Sequence, residues 1–202
     1  ITRIVKLYLD NIKSGTSSDY FLDDIFRWPY DAVEKDGKTG VIVPIYNSKF
    51  FFAKGYTADE TIKGGEKVGK WFTTPSFRNK EYPLSLDKSE LGDWLSYFQI
   101  GINISRGVKK MHQMGLAHSD LSYNNVLVDP VSKSAAIIDI DGLVVPGLFP
   151  PDVIGTADFI APEVLKTKHL PLQDTNRILP NQKTDLHALP VLIYMYLLRR
   201  HP

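Results

Sequence analysis

His118-Ser119-Asp120-Leu121-Ser122-Tyr123-Asn124-Asn125 is followed, fourteen residues after Asn125, by Asp139-Ile140-Asp141-Gly142. One carboxylate lies in a polar stretch, an amide sits five residues on, and a second carboxylate ends the next apolar run. Between them, Val126-Leu127-Val128 is broken by Asp129-Pro130, and Ala135-Ala136-Ile137-Ile138 is entered through Val131-Ser132-Lys133-Ser134. Two short apolar runs across a Pro/Ser turn predict a β-hairpin. That hairpin would hold Asn125 at one end and Asp139 at the other, close in space. Asparagine and aspartate oxygens suit magnesium, a hard cation that prefers oxygen ligands. Asp120 is then free to face an acceptor hydroxyl. Phosphoryl transfer from a nucleotide needs this set.

Working outward, Asp120 and Asn125 fit H-x-D-x-x-x-x-N, Asp139 stands where D-F-G begins, and Ala161-Pro162-Glu163 fits A-P-E. Gly155-Thr156 lies just upstream of A-P-E, and Asp185 to Tyr194 opens an apolar helix that runs toward His201-Pro202. In this order and spacing the chain resembles the protein-kinase superfamily, well over 90–202 and poorly over 1–90. The Trp28-Pro29 stretch and the proline at 44 look like a bacterial kinase-like branch, some of whose members carry helix-hairpin-helix domains.

The resemblance implies an α+β bilobal fold. Residues 1–46 would be part of the small lobe, with the end of its regulatory helix and strands up to the hinge. Residues 47–202 would be an incomplete large lobe. It implies ATP and Mg2+ as cofactors and a protein Ser/Thr hydroxyl as acceptor. Asp120 would orient that hydroxyl, and Asn125 and Asp139 would hold the metal. The Pro44 carbonyl and the Tyr46 amide would meet adenine at the hinge. Leu127 and Ile138 would line the adenine floor and the metal end. His118 would be structural, Asp185 would bond the catalytic-loop backbone, and Glu163 would anchor A-P-E. Thr156 would sit against Asp120 in the substrate loop.

Three positions depart from the family pattern. Ser119 replaces the arginine that normally pairs with a phosphorylated activation loop. Between Asp139 and Glu163 the only hydroxyl side chain is Thr156, so no activation by phosphorylation is expected there. Ser122 replaces a lysine that contacts the transferring phosphate, which removes electrostatic stabilisation. Asp141 replaces the glycine of D-F-G. It reads as a turn residue with Gly142 supplying the flexibility, or as an additional metal ligand.

The departures favour a second reading, a pseudokinase acting as a nucleotide-binding scaffold. A third is a small-molecule kinase related to aminoglycoside or choline phosphotransferases, whose loop carries a small residue after the histidine. The A-P-E segment argues against the third.

Composition narrows the class. The 202 residues are 43% hydrophobic and 23% charged, ordinary for a globular chain. A net charge of +1 makes no electrostatic case for nucleic acid or a membrane surface. With no Cys, thiolate catalysis and Cys-bound zinc are excluded. A cytoplasmic location is expected. The chain opens at Ile1 and closes at Pro202 within a continuing pattern, and reads as a fragment that is inactive alone.

The remaining stretches yield coarser expectations. Ile1 to Leu9 suggests a short amphipathic helix, followed by a polar loop over 14–19. Phe26 to Val33 reads as a strand, Glu34 to Lys38 as its turn, and Val41 to Tyr46 as the return, with Asp36-Gly37 a hairpin signal. Lys54 reads as solvated. Gly64 to Lys70 fits G-x-x-x-x-G-K, but Trp71 stands where a P-loop needs Ser or Thr, so it reads as a flexible turn. Leu91 to Met114 reads as a long helix with Leu95, Phe98, Ile100, Ile102, Ile104, Val108 and Met111 as apolar positions and Gly115 as its stop. His112 reads as a cap or packing residue.

Overall fold

A computed structural model describes residues 24–28, 31–55, 61–73, 86–145, 150–151 and 154–202. The helix expected over 1–9 and the loop over 14–19 lie outside the described residues.

Strands β1 (Asp31–Lys35) and β2 (Lys38–Ile42) form an antiparallel hairpin. Asp36 and Gly37 both take positive φ, 54° and 70°. That pair of left-handed residues makes the two-residue turn whose twist matches the strands. The turn is tighter than expected, and both strands shift. Phe26 is not in β1; it makes a single parallel bridge to Ile137. Ile25, Phe26 and Trp28 are drawn instead into the main helical core, where each is at most 7% exposed. Residues 43–47 follow β2 as irregular chain rather than strand.

The stretch after residue 47 is more ordered than its composition suggested. Phe50 and Phe52 are buried, and Phe51 bridges Glu66. The Phe52 amide donates to the Gly65 carbonyl at 2.9 Å and the Lys67 amide to the Phe50 carbonyl at 2.8 Å. Val68 then bridges Leu127. The Gly64–Lys70 stretch is therefore not a flexible turn: beyond a tight turn at 61–64 it runs as a strand-like segment against the hairpin of residues 126–137. Helix α1 (Lys70–Thr73) follows, with Trp71 and Phe72 buried against Phe52.

Helix α2 (Trp94–Gln113) opens with a capping box, in which Asp93 accepts from the Ser96 amide and the Ser96 hydroxyl accepts from the Asp93 amide. Gly115, at φ 78°, closes it in the left-handed region. Tyr97, Ile100, Ile104, Val108 and Met111 recur at helical spacing and are buried. Each such side chain contributes about 1.5–3 kcal/mol when fully buried. Leu95, Phe98 and Ile102 are 62%, 47% and 42% exposed, so they are not core positions. They lie on the opposite side of α2, and Phe98 and Ile102 border a shallow groove with Ile193 and Leu197. Gly107 is a close-approach point: a Cβ there would stand 2.8 Å from Ile25 Cγ1 and 3.1 Å from Ile137 Cδ1.

Strands β3 (Val126–Asp129) and β4 (Ser134–Ile137) form the expected hairpin, with Val126 opposite Ile137 and Asp129 opposite Ser134. Helix α3 (Pro162–Thr167) starts with proline at its first turn. Helix α4 (Gln182–Leu198) opens with a capping box between Asn181 and Thr184 and buries Asp185, Ala188, Val191, Leu192, Met195 and Tyr196. Arg199 closes α4 at φ 57°, and its guanidinium lies 4.6 Å from the Tyr97 ring. The core is α2 packed between α4 and β4. Among the described residues, no helix is long and apolar enough to cross a membrane.

Candidate active site

The site is assembled where the chain leaves α2. Ala117 and Val144 exchange backbone hydrogen bonds at 3.0 and 2.8 Å, which sets the segment before His118 beside the segment after Asp141. His118 is 1% exposed, and its Nε2 lies 2.9 Å from the Ile138 carbonyl. A carbonyl only accepts, so Nε2 carries the proton. Asp185 on α4 takes the His118 amide at 2.8 Å on Oδ2 and the Ser119 amide at 3.2 Å on Oδ1. His112 Nε2 reaches the same Oδ2 at 3.0 Å. His112 is therefore more than a cap: it joins the end of α2 to α4 through one carboxylate. These bonds hold Ser119 at φ 68°.

Both oxygens of Asp120 are engaged. Oδ1 accepts from the Thr156 amide at 2.5 Å, and Oδ2 accepts from Asn125 Nδ2 at 2.9 Å. The same Nδ2 donates at 2.8 Å to the Asp120 carbonyl. With the nitrogen of the Asn125 side-chain amide committed to Asp120, its Oδ1 is the group left to accept. The hairpin continues this arrangement. The Ile138 amide donates to the Asn125 carbonyl at 3.0 Å, so Asp139 follows directly beside Asn125. Asp139 is exposed and left-handed, at φ 60°, and starts the 3-10 turn Ile140–Gly142. The backbone pairing brings Asn125 and Asp139 to neighbouring positions, and carboxylate and amide oxygens are the donor chemistry magnesium takes. The Asp141 side chain, named as an additional metal ligand, lies outside the described residues.

Ser122 is fully buried, so its hydroxyl does not face a substrate. It accepts from the Asn124 amide at 3.3 Å and from the Thr156 hydroxyl at 3.2 Å. Thr156 thus holds the catalytic loop twice, by its amide on Asp120 and its hydroxyl on Ser122. Phe159 adds an edge-to-face contact with Tyr123, ring centres 5.1 Å apart. Gly155 allows the approach: at φ 113°, its Cβ position is 3.0 Å from the Ser119 carbonyl. Glu163 is exposed in the first turn of α3, where its charge suits the helix N-terminus.

The hairpin also carries a small apolar cluster of its own. Leu127 and Ala136 are buried with Phe50, and Tyr46, Val68 and Ile138 pack on that cluster. Three of the four residues named for the nucleotide, Tyr46, Leu127 and Ile138, therefore meet. Pro44 is exposed on the irregular chain after β2. Phe50 and Val68 were not singled out for this cluster, because neither has a local signal: they arrive through the bridges of the segment 50–68. Lys54 is 58% exposed at its side chain and pairs with Asp87 at 3.6 Å.

The family model for the protein kinase domain matches residues 89–202, more than half of the chain. This chain belongs to the protein kinase family. The kinase fold is shared, at a TM-score of 0.58 and 18% identity, with the Cydia pomonella granulovirus kinase PK-1; the alignment covers 100% of this chain and 57% of that one. By sequence, the chain is similar to the anti-Muellerian hormone type-2 receptor of Rattus norvegicus, 32% identical over 53% of this chain and 23% of that protein. It is also similar to calcium-dependent protein kinase 10 of Oryza sativa, 35% identical over 45% of this chain and 14% of that protein. A dual serine/threonine and tyrosine protein kinase of Apis mellifera is 26% identical over 54% of this chain and 10% of its own length. The matches span less than a quarter of each of these curated relatives.

Proposed function

We propose that the protein containing this chain transfers the γ-phosphoryl group of ATP to Ser or Thr hydroxyls of a protein substrate, assisted by magnesium and without phosphorylation of the 139–163 segment. The observation that carries this reading is the double hold of Asn125 on Asp120, beside Asp139. Asp120 orients the acceptor hydroxyl and accepts its proton. The Asn125 carbonyl oxygen and the Asp139 carboxylate are the groups that would hold magnesium, which neutralises charge on the phosphates. Leu127, Ile138, Val68 and Tyr46 flank the base, with the Pro44 carbonyl and Tyr46 amide as its hinge partners. Residues 1–46 contribute to the small lobe and 47–202 to the large lobe in this scheme.

Independence from phosphorylation is supported by how the substrate segment is already tied. Thr156 is held by Asp120 and Ser122, and Gly155 rests on Ser119, without an arginine in the loop to recruit a phosphate. A protein substrate is supported by the intact Gly155 to Glu163 segment beside Asp120.

One observation favours the second reading, a nucleotide-binding scaffold. Ser122 is buried at the position where kinases usually present a lysine to the transferring phosphate, so it supplies no charge there. The readings separate in the full-length natural protein. Magnesium-dependent transfer of labelled γ-phosphate from ATP, lost in Asp120→Asn and in Asp139→Asn, is the expected result. ATP binding that Asp139→Asn weakens, without any transfer, would replace it by the scaffold. Absence of both transfer and binding overturns the nucleotide reading.

A further inference from the structure

Lys67 lies in a stretch that the kinase pattern does not use, yet its side chain is only 5% exposed. A lysine is almost never buried unless paired. Its Nζ stands 2.8 Å from Asp129 Oδ1 and 3.4 Å from Glu90 Oε1, and both carboxylates are as buried as the lysine, at 5% and 7%. Each carboxylate is satisfied further. Glu90 accepts from the Ala53 and Lys54 amides at 2.9 and 3.3 Å, and Asp129 accepts from the Ser132 amide at 3.0 Å and the Ser132 hydroxyl at 2.5 Å. One ammonium thus joins the segment after the hinge, the entry to α2 and the β3–β4 turn.

We propose that Lys67 is a positioning residue for the nucleotide cleft, whose pairing with Asp129 sets the register of the Lys67–Gly69 segment on β3 and so seats Val68 beneath the base. The inference rests on the nucleotide-binding reading above.

The register argument is electrostatic. The Val128 amide donates to the Lys67 carbonyl at 2.9 Å and the Gly69 amide to the Val126 carbonyl at 2.7 Å, which places Val68 opposite Leu127. A slip of one residue flips every side chain to the other face of a strand. Here, slipping the segment so that Glu66 took the place of Lys67 would set a third carboxylate against Asp129 and Glu90, in a site that tolerates no unpaired charge. Slipping it the other way would offer Val68, an apolar group, to two carboxylates. Lys67 alone among Glu66, Lys67, Val68 and Gly69 satisfies the cluster.

The far end of the segment reaches the chemistry. The Lys70 amide donates to the Tyr123 carbonyl at 3.2 Å. Tyr123 sits between Asp120 and Asn125 in the catalytic loop. Gly69 is pressed into the gap, since its Cβ position would lie 2.9 Å from the same carbonyl. Val68, in turn, packs on the cluster of Phe50, Leu127 and Ala136 beside Tyr46 and Ile138. The segment therefore spans from the charge cluster to the 118–125 loop and packs on the Leu127 cluster between them.

The test is MgATP affinity of the full-length protein by isothermal titration calorimetry, at a temperature where circular dichroism shows every variant folded. Lys67→Met is expected to weaken binding about tenfold or more, and Val68→Ala, which leaves the charge cluster intact, about threefold. Ile104→Val, a core change on α2 away from the cleft, lowers the unfolding temperature without moving the affinity. Should Lys67→Met fail to fold, Val68→Ala decides alone. Wild-type affinity in folded Lys67→Met, or in Val68→Ala, overturns the assignment while leaving the nucleotide reading in place. A wild-type protein that binds no MgATP overturns the nucleotide reading and this inference with it.

Discussion

Asn125 turns its side-chain amide back onto Asp120, donating at 2.8 Å to the backbone carbonyl and at 2.9 Å to Oδ2. The bonds fix both partners at once: Nδ2 of Asn125 is committed to Asp120, and Asp120, held on its other oxygen by Thr156, has no freedom to rotate. Asn125→Ala removes both hydrogen bonds and is expected to cost about 1–3 kcal/mol in urea unfolding. Asn125→Asp replaces a donor by a second carboxylate against Asp120. Like charges so close cannot both ionise easily, so one carboxyl of the new pair is expected to titrate well above the ordinary range, visible by carboxyl NMR. Phosphoryl transfer by the full-length protein is expected to fall about a hundredfold or more in either variant.

Gly155 is the residue on which the hold of Thr156 on Asp120 depends. Its φ of 113° is a region side chains rarely enter, and a Cβ would press on the Ser119 carbonyl at 3.0 Å. Gly155→Ala is expected to cost about 1–3 kcal/mol in strain. The local signature is faster hydrogen exchange at the Thr156 amide, because its bond to Asp120 is the one that breaks.

Gly69 and Tyr196 form a second pair that can be tested by a double-mutant cycle. The buried Tyr196 hydroxyl has no hydrogen-bond partner among the described residues, and a Cβ on Gly69 would collide with it. Tyr196→Phe is expected to be neutral or to stabilise by about 1 kcal/mol, since the unpaired group is removed. Gly69→Ala is expected to destabilise by about 1–3 kcal/mol through overpacking. Combined, the two should cost less than their sum, because the phenylalanine withdraws the nearest atom.

Two groups link stability to pH in opposite directions. Burial alone would raise the Asp129 carboxyl, but the Lys67 ammonium and the Ser132 hydroxyl and amide outweigh it and hold it below its ordinary value. Its contribution is therefore complete above the ordinary carboxylate pKa of about 4 and lost as pH falls through the lower folded value. Asp129→Asn is expected to flatten the acid side of a plot of urea midpoint against pH.

Burial, with the nearby Tyr97 adding to it, pushes the Tyr196 hydroxyl far above its ordinary value. The folded state keeps the proton that the unfolded chain releases above pH about 10, so stability is lost as pH rises beyond that point. Tyr196→Phe is expected to remove that alkaline loss in the same measurement.

The order and spacing of residues already carried the β3–β4 hairpin and, to within a few residues, the span of α2, because each depends on neighbours in the chain. Asp129-Pro130 breaks one apolar run, Gly115 stops one helix, and Asp36-Gly37 makes one turn. These are local backbone preferences, and residue type states them directly. The side of α2 that is buried was not legible in the same way. Leu95 and Phe98 are as apolar as Ile100 and Ile104, and only the placement of β4 and α4 selects between them.

Lys67 is the clearest case of what tertiary structure alone decides. Within its own stretch it reads as part of a glycine-rich turn, and its partner Asp129 lies 62 positions away. Whether a lysine is solvated or buried depends on whether the fold delivers enclosed carboxylates to it: Lys67 meets two that are as buried as itself, whereas Lys54 meets the partly exposed Asp87 and stays more than half exposed. The same holds for the state of Ser122 and Asp120: a hydroxyl fully enclosed and a carboxylate with both oxygens bonded. Sequence by itself determined which groups stand in the loop and in what order, through local turns and periodicity. The burial and pairing of those groups were decided by contacts between distant segments, because desolvation and ion pairing belong to the packed whole.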